Sequence, residues 1–480
     1  MRRFVGRGRE LEALERIFDA GNVKACMVYG RRRIGKTMML RRFVEDKPHI
    51  YVEFDRGSTE KGCVMVLEDA ISKHLGEDVR FNDVRHAMNA IGDICAATKT
   101  VVVFDELPYF TKSFPEASSE LQHLVDRIIR ETESMAIVCG SSISLMLEEA
   151  SDSGSPLYGR FLFQMRLGPL TLEETRGFHP SMTDMDLLKT YLVLGGIAAY
   201  HDCVGDTDFR GAVEGSLLNR YGFIRNDVRN WISEEMGPRR NDAMALLSAI
   251  SSGCGSYKDI KNRTGLTEYA LNDCLAKMTS MGLTERRDSV IKSKKSKIYC
   301  ISDLPAAFYY AVVERNAAIL DSSSSEGYES MKSIIATHIG KAFEGFCREF
   351  VKTSYACVET GTWWGEVPFR DAEGNMIREE DGKALTEHVD IDVVAMIRKG
   401  NDRITLFGEC KFTNAPTGTD VADALMDRAK TASPDANARY ALFSPSGFTE
   451  GLRQFAEQDG RMMLFGLDVL SGRKDPPAIP

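Results

Sequence analysis

No two cysteines stand at CxxC spacing, although 11 of the 480 residues are cysteine. They are scattered singly through apolar stretches, as at Cys26 and Cys139. That pattern argues against a structural zinc site and for reduced, buried thiols in a cytoplasmic protein. A run of about eighteen apolar residues is missing too, so no membrane partner is expected. The start, Met1-Arg2-Arg3-Phe4-Val5-Gly6, lacks the apolar core of a secretion signal. Cations are outnumbered: Lys and Arg total 61 against 70 for Asp and Glu, a net charge of -9. Any nucleic acid must therefore be held by local basic patches rather than by the chain as a whole. What remains is an ordinary globular composition, over a length that suits about three domains of roughly 100 to 200 residues each.

The chain is organised around residues 25–40. The apolar run Ala25-Cys26-Met27-Val28-Tyr29 leads into Gly30-Arg31-Arg32-Arg33-Ile34-Gly35-Lys36-Thr37 and then Met38-Met39-Leu40, which reads as strand, phosphate loop, helix. Gly30 and Gly35 fit the glycines of GxxxxGK[ST], where the backbone curls so that successive N–H groups face one anion. Lys36 is expected at the β/γ-phosphates and Thr37 on Mg²⁺, with the positive end of the helix dipole behind them. The plainer alternative is a basic turn that merely contains glycine. About seventy residues on, Val101-Val102-Val103-Phe104 ends in Asp105-Glu106. A strand apolar on both faces tolerates acids only at its carboxyl end, where doubly wound sheets bind ligands. Asp105 is expected to hold Mg²⁺ through water and Glu106 to polarise the attacking water, so ATP or GTP is the expected ligand.

The segment Phe4-Val5-Gly6-Arg7-Gly8-Arg9-Glu10-Leu11 precedes a helix with Leu11, Leu14, Ile17 and Phe18 on one face. This opening, set ahead of a GRRRxGKT loop, resembles AAA+-type ATPases, in particular a predominantly archaeal ATPase family. The resemblance implies an α/β P-loop core with ATP and Mg²⁺ as cofactors. It places Val5 and Gly6 against the adenine, and the loop residues Arg31, Arg32, Arg33 and Ile34 around the phosphates. Met135 to Ser142 resembles the strand whose terminal hydroxyl, Ser141 or Ser142, senses the γ-phosphate; a helix N-cap is the alternative for either serine. Ser155 to Phe161 resembles the family's arginine-bearing turn, making Arg160 a candidate to stabilise transferring phosphate, unless an acid pairs with it. Gly195-Gly196-Ile197-Ala198 resembles a Gly-Gly-x-Pro turn, with Ala198 where proline is usual.

From about Asn241 to Ser302 the pattern reads helix, short helix, turn, longer helix, then two short strands, the shape of a winged helix. Arg286 to Lys297 carries six cations and one acid. Lys292, Lys294, Lys295 and Lys297 are therefore the candidate nucleic-acid contacts, the alternative being a module that packs between domains. A linker is expected at Ser322 to Gly327. Beyond it, a helix carries Glu344, Val389 to Ala395 alternates with Asp390 and Asp392 on one face, and Ile404 to Phe412 places Glu409 and Lys411 together. A hairpin turn at Arg398 to Asp402 makes those strands neighbours. The arrangement resembles the PD-(D/E)XK nuclease superfamily and the uncharacterised domain commonly fused to this ATPase family. That resemblance implies Asp392 and Glu409 as Mg²⁺ ligands, Lys411 on the hydrolytic water and Glu344 in the outer shell. It departs in having no proline before Asp392, and a solvated salt-bridge ladder is the alternative. Trp363 and Trp364 read as core rather than a stacking platform.

The expected architecture is α/β: a P-loop AAA+-type core (1–170), a helical lid (171–236), a winged helix (237–321) and a restriction-endonuclease-like α/β domain (322–480). The expected function is ATP binding and hydrolysis coupled to binding of nucleic acid, DNA ahead of RNA, and to Mg²⁺-dependent phosphodiester cleavage. A homo-oligomer remains open. The rival is a regulatory ATPase whose nuclease-like domain only binds.

Overall fold

A computed structural model describes residues 3–291, 297–322, 327–369, 376–378, 382, 384–400, 402–434 and 437–480. The chain divides into two compact units, residues 1–178 with 196–203, and residues 179–195 with 204–480.

In the first unit β1 (Ala25–Tyr29), β2 (His49–Glu53), β3 (Val101–Asp105), β4 (Met135–Gly140) and β5 (Phe163–Arg166) form one parallel sheet in the order β2-β3-β4-β1-β5. Strands β3 and β4 are buried throughout because both faces are covered, which is why they read as unbroken apolar runs. Helices Glu60–Leu75, Val84–Ala97 and Ala117–Glu131 pack Leu67, Ile91, Leu121 and Ile128 with Val102, Phe104 and Val138 in one core. Each such side chain contributes about 1.5–3 kcal/mol when fully buried. With all strands parallel, the carboxyl ends of β1, β3 and β4 meet along one rim. The phosphate loop, Asp105 and Ser141 sit on that rim.

The second unit begins with helices. Helices Arg240–Ser251, Tyr257–Thr264 and Glu268–Met281 are followed by the antiparallel pair β6 (Thr284–Arg287) and β7 (Ile298–Ile301). Ser256 and Thr267 cap the second and third helices by accepting from Asp259 N and Ala270 N, and Gly265 and Gly282 end them in the left-handed region. Further on, helix Gly327–Ser354 leads to β8 (Cys357–Pro368), β9 (Thr386–Lys399), β10 (Asp402–Cys410), β11 (Ala438–Phe443) and β12 (Met462–Phe465). This sheet runs β12-β11-β10-β9-β8, antiparallel from β8 to β10 and parallel from β10 to β12. Lys399 faces Asp402 across the expected turn, and Gly400 takes the positive φ of 62° that the turn needs. Strand β10 stops at Cys410, so Lys411 lies one residue beyond it, though its N–H still donates to the Phe443 carbonyl at 2.8 Å. Trp363 joins the core of this sheet with Ile391, Val394, Phe407 and Leu442.

Candidate functional site

The phosphate loop is shaped by two glycines that no other residue replaces. A Cβ on Gly30 would fall 2.5 Å from the Leu167 carbonyl oxygen, and Gly35, at φ 103°, turns the chain into helix Lys36–Val44. Arg33 also takes a positive φ, 70°. Lys36 is buried, and its ammonium donates to the Gly30 carbonyl (2.9 Å), the Arg31 carbonyl (3.2 Å) and Ser141 Oγ (2.9 Å). Thr37 Oγ1 donates to Asp105 Oδ2 at 2.7 Å. Asp105 is fully buried at the end of β3, and the same oxygen accepts from the Tyr51 hydroxyl at 2.7 Å. Burial, and then Asp105, pushes the Tyr51 phenol well up, so Tyr51 stays a donor. Glu106 follows with φ 56°; its carboxylate accepts from Ser141 N at 3.2 Å and from the Ser141 hydroxyl.

Lys36, Thr37, Asp105, Glu106 and Ser141 are thus brought together, and the donor set fits a nucleotide with a hard dication. A hydroxyl and a carboxylate stand side by side at a helix N-terminus, with an ammonium and a second carboxylate next to them. Ser142 occupies the N-cap position of helix Ile143–Ser151, without a side-chain cap bond.

Arg7 and Tyr200 hold this loop and Tyr51 holds the acid beside it, though the sequence marks none of the three as a site residue. Arg7, at φ 69° and buried, donates to the Ile34 carbonyl at 2.8 Å and pairs with Glu10 at 3.0 Å, while its N–H donates to Glu174 Oε1 at 2.9 Å. The segment carrying Val5 and Gly6 is therefore tied to the loop, and a Cβ on Gly6 would fall 2.7 Å from Glu174 Oε1. Tyr200 accepts from Arg31 at 3.2 Å and lies under its guanidinium at 5.5 Å. Ala199 N–H donates to the Arg33 carbonyl at 3.2 Å. Gly196 is required nearby, since a Cβ there would fall 2.0 Å from the Leu170 carbonyl oxygen. Arg32 is exposed and Arg33 half-buried. Tyr51 is the third of these residues; a tyrosine in an alternating strand carries no signal that its hydroxyl ends on a carboxylate.

Arg160 is not brought to this loop. Its guanidinium makes a paired contact with Asp126, 2.9 Å from Nε to Oδ1 and 3.1 Å from Nη2 to Oδ2, and donates to the Pro156 carbonyl at 2.7 Å. It lines a small cleft with Asn22, Val23, Lys24 and Ala25, at the amino end of β1 and so at the opposite end of that strand from the phosphate loop. The hydrogen bond from Arg160 holds the Asp126 carboxyl below its ordinary range.

In the second unit Asp392, Glu409, Lys411 and Glu344 do meet. Asp392 Oδ2 accepts from Cys410 N at 2.8 Å, extending the β9–β10 ladder with a side chain. Burial first, then Glu409 and Glu344, pushes the Asp392 carboxyl up to about 7. Burial also raises Glu344, against the pull of Arg348. Glu409 is buried, and both of its oxygens are engaged: Oε1 accepts from Lys411 at 2.8 Å and Oε2 from Arg428 at 2.9 Å. Arg428, from helix Thr419–Ala432, and Arg348, buried on helix Gly327–Ser354 with Nη1 on the Asp392 carbonyl at 2.8 Å, carry no signal in the sequence. Among the described residues no group of three or more His, Cys, Asp or Glu is arranged to hold a metal ion. As arranged, then, this cluster is a closed salt-bridge network and does not fit a divalent cation.

Lys292, Lys294 and Lys295 lie outside the described residues, and Lys297 is exposed. The residues just before them pack inward. Val290 is buried in the core of the C-terminal sheet, its N–H donates to the Thr362 carbonyl at 3.0 Å, and Ser289 bridges to Thr362 on β8.

Comparison with known proteins agrees with this layout. Residues 4–200 match the model of an ATPase domain found predominantly in Archaea, and residues 309–424 match a family of archaeal and bacterial proteins of unknown function. An uncharacterised protein of Methanocaldococcus jannaschii is 28% identical over 398 residues, 80% of this chain and 86% of that protein. An uncharacterised ATP-binding protein of the same organism is 48% identical over 44 residues, 9% of this chain and 75% of that one. A Walker-type ATPase of Pyrococcus abyssi has a similar fold, with a TM-score of 0.50 and 18% identity, covering 64% of this chain and 96% of that structure. Among the described residues no helix is long and apolar enough to cross a membrane. Residues 4–200 are thus similar to the ATPase domain found predominantly in Archaea, and residues 309–424 to the archaeal and bacterial family of unknown function.

Proposed function

We propose that this ATPase is a switch in which ATP and Mg²⁺ bind through Lys36, Thr37 and Asp105, hydrolysis runs through Glu106, and the second unit binds nucleic acid, DNA ahead of RNA. The observation that carries the reading is the Lys36–Ser141–Glu106 chain. Ser141 Oγ accepts from the ammonium at 2.9 Å and donates to the carboxylate, so the phosphate-binding cation and the water-polarising base share one hydroxyl. A γ-phosphate that draws Lys36 and Ser141 to itself would free Glu106 for water, which ties base release to the presence of the triphosphate. Mg²⁺ would supply charge neutralisation of the β- and γ-phosphates. Val5 and Gly6 are assigned to the base, with Arg7 holding their segment to Ile34. The assay is ATP turnover by the full chain with and without duplex or single-stranded DNA; stimulation by DNA supports the coupling, and identical rates would remove it.

Two readings of the C-terminal cluster follow from two observations. The gathering of Asp392, Glu409, Lys411 and Glu344 is the observation that favours phosphodiester cleavage. The engagement of both Glu409 oxygens by cations supports the regulatory reading, in which the domain binds without cutting. Cleavage of single- or double-stranded DNA or RNA by purified protein, with Mg²⁺ or Mn²⁺ and with or without ATP, separates them. The docking of Ser289 and Val290 on β8 supports a packing role for the ribbon, and leaves Lys297 with its three lysine neighbours as the candidate phosphate contacts.

A further inference from the structure

Helix Phe223–Met236 has at each end an exposed tyrosine lying under an arginine. At its start the turn Asn219-Arg220-Tyr221-Gly222 is closed by the Gly222 N–H on the Asn219 carbonyl at 2.9 Å, and Asn219 Oδ1 accepts from Tyr221 N at 2.9 Å. Asn226 Nδ2, one turn into the helix, donates to the Gly222 carbonyl at 3.0 Å, and a Cβ on Gly222 would fall 2.0 Å from the Ser216 carbonyl oxygen. The turn is therefore pinned from three sides, yet Tyr221 is 82% exposed, with the Arg220 guanidinium 5.3 Å from its ring centre. Just past the other end, Arg239 lies 5.6 Å from the ring of Tyr269, which is 75% exposed. Arg239 is paired with Asp242 and Asp273, at 3.1 and 3.3 Å. Residues 215–233 contain three cations and a single acid. Arg225 is paired with Asp321 at 2.9 Å and Asp227 is buried, which leaves Arg220 and Arg229 as the exposed charges of that stretch.

We infer that this helix and its two flanking tyrosines form a docking surface for single-stranded nucleic acid. The inference rests on the reading that the second unit binds nucleic acid; it adds a surface apart from the basic ribbon tip and names the strandedness. Stacking on a ring needs the face of a base, and a duplex hides those faces between neighbouring pairs, so exposed tyrosines select unpaired strands. The backbone of the Asn219–Gly222 turn is already fixed, so binding there orders few residues. Charge selects the class of partner: the stretch is cationic in a chain of net charge -9, which suits a polyanion and disfavours a second copy of the chain. Arg220 and Arg229 supply cations for backbone phosphates, while the rings impose no sequence, since every base offers a π-face. The helix has 14 residues and is about 21 Å long, so the rings at its two ends serve different bases of one strand.

The test is fluorescence anisotropy of a labelled oligothymidylate of about twenty nucleotides, titrated with the full chain. Tyr221→Ala and Tyr269→Ala should each weaken binding on the order of tenfold. Tyr221→Phe, which keeps the ring, should bind as the wild type does. Arg220→Gln and Arg229→Gln should each make the slope of log affinity against log salt shallower, by up to about 0.7. Neither alanine change should weaken binding to a duplex of the same length. Wild-type affinity in either alanine variant, an equal loss in Tyr221→Phe, an unchanged slope in both arginine variants, or a matching loss on duplex overturns the surface and leaves nucleic-acid binding by the second unit standing. A wild type that binds neither the single strand nor the duplex removes that reading and this surface with it; self-association that Tyr221→Ala abolishes in sedimentation then assigns the surface to a second copy.

Discussion

Tyr51 donates its hydroxyl to Asp105 Oδ2 across 2.7 Å, from β2 to the last residue of β3. Thr37 donates to the same oxygen, so Asp105 is held from two sides before any ligand arrives. Tyr51→Phe removes one bond to a charged acceptor, worth about 1.5–3 kcal/mol. The Mg²⁺ concentration for half-maximal ATP turnover should rise on the order of tenfold, while ATP binding without Mg²⁺ stays at the wild-type level. An unchanged Mg²⁺ dependence would make Tyr51 a packing residue only.

Asp392 gives a pH dependence with a definite sign. Its carboxyl is pushed up to about 7 by burial and by Glu409, above the unfolded value of about 3.9. Between those values the folded state holds a proton that the unfolded state has lost, so this group's contribution to stability falls as pH rises through that window. Asp392→Asn removes the effect. The melting temperature of Asp392→Asn minus that of wild type should therefore grow from pH 5 to pH 8, in scanning calorimetry at constant ionic strength. A difference that shrinks over that range would contradict the burial argument.

The basic tip makes a prediction in salt. Changing Lys292, Lys294, Lys295 and Lys297 to Gln removes up to four cations that would displace counterions from a duplex. The slope of log affinity for duplex DNA against log salt should become shallower, by up to about 0.9 for each phosphate that is no longer neutralised. Unchanged affinity and slope would assign the ribbon wholly to packing, the role that Val290 already has.

The parts of the fold legible in the sequence were those with one dominant physical cause. Val101 to Asp105 and Met135 to Gly140 are buried on both faces, and so show as apolar runs ending in polar residues. Glu409 and Lys411 were brought to Asp392 by a period of two and a short turn. β2 and β5 give little signal because both are short, His49 to Glu53 being only alternately buried and Phe163 to Arg166 at most half-buried. The start of helix Ala117–Glu131 is poorly marked, since Glu116 gives no side-chain cap bond. The residues missed at the sites, Arg7, Tyr51, Tyr200, Arg348 and Arg428, act through long-range bonds, and sequence spacing carries no information about those. Arg160 shows the opposite error: the turn is there, but Asp126, 34 positions away, takes its guanidinium.

The central claim is that Lys36 holds the triphosphate and Glu106 activates water. Equilibrium binding of a fluorescent ATP analogue, followed by single-turnover hydrolysis, should be measured on wild type, Lys36→Ala and Glu106→Gln. Lys36→Ala should lose most of the binding. Glu106→Gln should bind as wild type does and turn over at least about 100-fold more slowly. Hydrolysis by Glu106→Gln at the wild-type rate would contradict the account.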